Sequence, residues 1–151
     1  MRFIDNRILK EWKKLGAIVS HDALSMVFYE VLESLPWMAG HLDFKQLNII
    51  STSLHSLSDD NGDLESEKVR IWINTAGTVE DEYMAFWYSQ KQPCVVCSTD
   101  FALENIDAAY WGAPGWNYMF LCSVNNGVVV PNYKKILCYD SANELILITT
   151  Q

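Results

Sequence analysis

The C-terminal third of the chain restricts the fold more than any other segment. Residues 118–124, 128–130, 136–139 and 144–149 are strand-like apolar runs, parted by Asn125-Asn126-Gly127 and by Asp140-Ser141-Ala142-Asn143. Short runs rich in β-branched and aromatic residues between such turn signals predict a β-meander. An antiparallel sheet of this kind must cover an apolar face, and helices are the common cover.

Two N-terminal helices supply it. In the first, Asp5 is a capping residue, Ile4 and Leu9 sit at hydrophobic-staple positions, and Gly16 suits a left-handed stop. Ile8, Trp12 and Leu15 are expected on its inner face, with Lys13 and Lys14 at the negative end of the helix dipole. In the second, Ser20 is the expected cap and Pro36 the stop. Leu24, Val27, Phe28, Val31, Leu32 and Leu35 between them keep the spacing of one helical face.

The middle of the chain is less uniform. Asn61-Gly62 suits a two-residue hairpin turn, which would set Leu54 opposite Val69, Thr52 opposite Ile71 and Ile50 opposite Ile73. Repulsion among Asp59, Asp60, Asp63, Glu65 and Glu67 argues for a looser loop at that tip. Residues 82–89 fit both a helical face and a buried strand, and their aromatic density favours the strand. Residues 93–98 read as a buried strand. Asp100 can then cap a further helix near 100–111 that turns Ala102, Leu103, Ile106 and Ala109 inward. The expected fold is α+β: two N-terminal helices on a mostly antiparallel sheet, one more helix near 100–111, and a single domain over 1–151.

With 50% hydrophobic and 20% charged residues, the chain holds enough apolar area to fold without disulfides or metal. Residues 1–14 alternate charge with apolar positions unlike a secretory leader, and no apolar run approaches the roughly 20 residues of a membrane span. A cytoplasmic location and reduced cysteines are expected. The net charge of −8 is uneven: Arg2, Arg7, Lys10, Lys13 and Lys14 outweigh Asp5 and Glu11, giving the first 14 residues +3 and the remainder −11. Such a surface repels nucleic acid and anionic lipid and attracts a basic partner.

No catalytic or cofactor signature emerges. Cys94-Val-Val-Cys97 has C-x-x-C spacing, but in a strand residues i and i+3 point to opposite faces, so these cysteines, with Cys122 and Cys138, read as buried thiols and not metal ligands. His41 and Asp43 lie close in sequence without a nucleophile motif, and His21 and His55 stand apart from any. Residues 59–65 are acidic, yet an EF-hand register would put Leu57 in the first ligand position. Glu80 and Glu82 suit a helix dipole better than acid/base work. Between 110 and 118, Gly-Ala-Pro-Gly divides Trp111 from Trp116, exposing large rings of the kind found at interface hot spots or closing the core with them.

Size, acidity, expected cytoplasmic location and the lack of catalytic motifs resemble the immunity proteins of bacterial toxin–immunity pairs, including contact-dependent inhibition systems. The resemblance implies a protein, not an enzyme, that binds a cognate basic toxin, often a nuclease, and blocks its active site without a cofactor. On this reading Asp59, Asp60, Asp63, Glu65, Glu80 and Glu82 pair with the toxin's cations, and Trp111 or Trp116 anchors the interface. Two other classes compete. One is an enzyme or small-ligand domain with a pocket lined by Trp72, Trp87, Trp111 and Trp116 and polar groups such as His41 and Asp43. The other is an anti-defence protein whose carboxylates mimic DNA phosphates.

Overall fold

Seven strands, antiparallel at every pairing, form the middle layer of the computed structural model, which describes residues 6–20, 22–75, 82–87, 94–111, 118–140 and 143–149. In chain order the elements are α1 (Asn6–Lys14), β1 (Ile18–Ser20), α2 (Asp22–Glu33), β2 (Trp37–Met38), β3 (His41–Leu42), β4 (Asn48–Ser53), α3 (Ser66–Asn74), β5 (Tyr83–Trp87), β6 (Cys94–Ser98), α4 (Thr99–Glu104), α5 (Ile106–Trp111), β7 (Tyr118–Asn125), β8 (Val128–Asp140) and β9 (Glu144–Thr149). The large sheet runs β1-β6-β5-β7-β8-β9-β4, and β2 and β3 pair as a separate small hairpin. The fold is α+β.

Strand alternation gives the sheet two apolar faces, and helices cover both. Met84, Phe86, Val95, Met119, Leu121, Leu137 and Leu147 face α1, α3, α4 and α5, meeting Leu9, Trp12, Val69, Ile73, Leu103 and Ile106. Ala85, Trp87, Val96, Phe120, Ile136 and Ile148 face α2, meeting Phe28, Val31 and Leu32. The two N-terminal helices thus pack on the sheet from opposite sides. Phe28 and Phe120, neither exposed, bring their ring centroids to 4.8 Å.

The meander matches the sequence closely. Asn126 and Gly127, at φ 52° and 80°, close the β7–β8 turn in the left-handed conformation that an Asn-Gly pair accepts. The expected runs 128–130 and 136–139 are one strand, β8, whose register against β7 shifts between Phe120 and Cys122. Pro131, opposite Cys122, sits at that irregularity, where the missing N–H is tolerated. Residues 83–87 are a strand, as their aromatic density suggests.

Four local expectations are corrected. First, residues 66–74 form helix α3 and not the return strand of a hairpin; β4 pairs with β9 instead. Val69, Ile71 and Ile73 alternate like a strand, but Val69, Trp72 and Ile73 keep helical spacing. The helix buries those three and leaves Ile71 60% exposed. Second, the helix near 100–111 is two short helices broken at Asn105, with Ala102, Leu103, Ile106 and Ala109 all buried. Third, Ser98 and not Asp100 caps it, its Oγ accepting from the Phe101 N–H at 3.2 Å. Fourth, Leu15 is exposed: α1 ends before it in a Schellman turn, in which the Ala17 and Gly16 N–H groups donate to the Trp12 and Lys13 carbonyls, with Gly16 at φ 105°. Asp5 lies outside the described residues, and α2 begins at Asp22, beyond the expected Ser20 cap. Among the described residues no helix is long and apolar enough to cross a membrane.

Candidate functional site

The acidic segment after β4 is an ordered loop built by one of its own carboxylates. Asp59 Oδ1 accepts from the Asn61 N–H at 2.9 Å and the Asp63 N–H at 3.1 Å, while the Asp59 N–H donates to the Asp63 carbonyl at 2.8 Å. Gly62, at φ 84°, makes the bend. The loop is pinned at its exit: Leu64 is buried, its N–H donates to Asp107 Oδ1 at 2.8 Å, and the Glu65 N–H donates to the Leu57 carbonyl. Asp60 and Asp63 are left pointing to solvent.

The same side of the molecule gathers further carboxylates. Glu65 and Glu67 begin α3 and pair with Lys68 at 3.5 Å and Arg70 at 3.9 Å. Arg70 reaches across to Asp100 on α4 at 2.7 Å, joining the two helices. The exposed Glu82 sits beside the start of α4, its carbonyl accepting from the Thr99 N–H at 2.8 Å. Glu104 and Asp107 follow Asp100 at i+4 and i+7. The loop, α3, Glu82 and the α4–α5 pair therefore hold nine carboxylates against two cations, Lys68 and Arg70. Exposed ion pairs are each worth about 0–1 kcal/mol and leave a net negative field over this surface.

The charge reverses on α1. Helix α1 carries exposed Arg7, Lys10, Lys13 and Lys14, and joins α4 through Trp12, edge-on to Phe101 at 5.9 Å.

Of the site residues expected from the sequence, Asp59, Asp60, Asp63, Glu65 and Glu82 lie on this connected surface, with the Asp59 carboxylate committed to its own loop. Glu80 and Trp116 lie outside the described residues. Trp111 closes α5, but its side chain is not among those described. The sequence reading saw Glu67 only as part of the acidic run and gave no site role to Asp100, Glu104 or Asp107; the helical spacing of 66–74 and the i, i+4, i+7 placement of the last three carried the signal.

Among the described residues, the side chains of the competing pocket are not brought together. Trp72 packs with the cluster under α3, whereas Trp87 faces α2 from the other side of the sheet, so one pocket cannot take both. Trp87 Nε1 is spent on the Ser25 carbonyl and Oγ, each at 3.1 Å. Asp43 holds its own turn, accepting from the Lys45 N–H and from Gln46 Nε2, while the exposed His41 has Nδ1 at 3.0 Å from the Leu42 carbonyl. Cys94 and Cys97 face opposite sides of the sheet. Burial pushes the Cys97 thiol up to about 12, and burial, with Cys122 nearby, raises Cys94 further still. Neither is a thiolate nucleophile at neutral pH. No group of three or more His, Cys, Asp or Glu among the described residues is placed to hold a metal ion.

The sequence matches no protein-family model and no curated protein.

Proposed function

We propose that this chain is a protein-binding domain that neutralises a basic partner, in the manner of a cytoplasmic immunity protein covering the active site of a cognate nuclease toxin. One observation carries the reading: nine carboxylates stand against two cations over a surface made of the 58–65 loop, Glu82, α3 and α4–α5. All of these groups except Glu82, which leads into β5, sit on short helices and a pinned loop, so little ordering entropy is lost when a partner docks. A field of one sign speeds encounter with a cationic protein and rejects nucleic acid. The split core tryptophans and the self-capped Asp43 argue against the ligand-pocket alternative.

The test is affinity capture from the native cell, with immobilised wild-type chain beside an Asp60→Lys/Asp63→Lys/Glu67→Lys variant. The expected result is a basic protein retained by the wild type at low salt, eluted by high salt and lost on the variant. Equal capture by both chains would remove the acidic surface from the interaction.

A further inference from the structure

The two edges of the large sheet differ. Strand β1 is only three residues long, which blunts that edge. At the other edge β4 runs six residues, Asn-Ile-Ile-Ser-Thr-Ser, with no charge, proline or bulge among them. Natural edges usually carry one of those protections against pairing.

Among the described residues β4 has no outer partner, and its outward backbone groups follow from its ladder with β9. The Leu54 N–H donates to the Asn143 carbonyl at 2.9 Å, so 54 and 143 form a hydrogen-bonded pair in the register that sets Ser53 opposite Glu144. Alternation makes Thr52, Ile50 and Asn48 the other inward-bonding residues. Ile49, Ser51 and Ser53 therefore direct their N–H and C=O groups outward, and all three are exposed; the Ser53 carbonyl already accepts from Ser56 Oγ at 2.8 Å.

We propose that this edge pairs with β4 of a second copy, making one sheet continuous across a two-fold axis at Ser51. An axis perpendicular to the sheet keeps each side chain on its own face, which requires pairs whose residue numbers share parity. Placing Ser51 on the axis sets Ile49 opposite Ser53 and Ser51 opposite itself; Ser51 exchanges N–H···O=C bonds with its copy, and the Ser53 carbonyl, already bonded to Ser56 Oγ, takes the Ile49 N–H on its second lone pair. Ile50 then meets Thr52 as a close β-branched cross-strand pair. Charge favours a second copy as the occupant. Lys45 precedes β4, and Lys135 shares the row of Thr149 and Asn48; Glu144 stands opposite Ser53 at the other end. Antiparallel pairing lays the cationic end of each copy beside the anionic end of the other, with no charge on the paired strands.

Sedimentation velocity of the full chain tests the pairing, beside Ser51→Pro and Ser51→Lys. Both changes touch an outward position that the β9 ladder does not use. Wild type is expected to be a dimer, with both variants folded by circular dichroism and associating about ten- to a hundredfold more weakly. Hydrogen exchange on the wild type supplies a readout that needs no variant: the Ile49, Ser51 and Ser53 amides gain protection as protein concentration rises, while Ile50 and Thr52 are protected throughout. A wild-type monomer, a dimer unaffected by both substitutions, or protection of these amides only when another protein is added would each overturn the proposal. Because β4 lies outside the acidic surface, loss of partner capture and loss of dimer are separate results.

Discussion

Asp107 Oδ1 accepts from the Leu64 N–H at 2.8 Å across 43 residues of sequence, tying the exit of the acidic loop to α5. This bond fixes where Asp60 and Asp63 stand relative to Asp100 and Glu104. Asp107→Ala leaves a part-buried amide unpaired, at a cost of about 1–3 kcal/mol. Denaturant unfolding measures the loss, and exchange of the Leu64 amide should quicken with it. Asp107→Asn keeps an acceptor and should recover most of the stability.

The core predicts a second result. Phe28→Ala and Phe120→Ala each remove a fully buried ring from the α2 face and should cost about 3–5 kcal/mol. A double-mutant cycle by urea unfolding should give a coupling of about 0.5–1.5 kcal/mol, since the rings touch.

The two buried tryptophans should respond differently to phenylalanine. Trp87 Nε1 donates to Ser25, whereas Trp72 Nε1 is buried with no partner among the described residues. Trp87→Phe removes a donor that bonds Ser25, but Trp72→Phe deletes an unpaired donor and recovers part of its desolvation cost. In thermal unfolding, Trp72→Phe should be the milder by about 1 kcal/mol or more.

The cysteines predict an alkaline dependence. The Cys97 thiol rises from its ordinary 9.0 to about 12 in the fold because burial disfavours the thiolate. A raised folded value means that the native state holds the proton more tightly. That contribution is complete below pH 9 and fades as pH climbs from 9 toward 12, because only the unfolded chain ionises there. Unfolding free energy measured across that range should fall, and Cys97→Ser or Cys97→Ala should flatten the decline. At neutral pH a thiol reagent should label Cys94 and Cys97 only on unfolding.

The sequence made the meander legible because Asn126-Gly127 and the spacing of apolar runs admit few alternatives. It also revealed the inner face of α2, where Phe28, Val31 and Leu32 keep helical period and are buried. It misled at 66–74, where Val69, Ile71 and Ile73 imitate a strand and Asn61-Gly62 imitates a hairpin turn. Burial of Trp72 and the pairing of β4 with β9 decide that contest, and both depend on residues far along the chain. The acidic site was half visible. The run from Asp59 to Glu67 stood out, but Asp100, Glu104 and Asp107 join it only through tertiary contacts, Arg70 to Asp100 and Leu64 to Asp107. That β4 is an edge of the sheet among the described residues was invisible, since edge position is set by sheet order.

The most direct measurement of the central claim is the association rate of the captured basic partner with wild type and with Asp60→Lys/Asp63→Lys/Glu67→Lys, at low and high ionic strength. An acidic docking surface predicts that reversal slows association about tenfold or more at low salt and flattens its salt dependence. Equal rates with the same salt dependence for both chains would contradict the account.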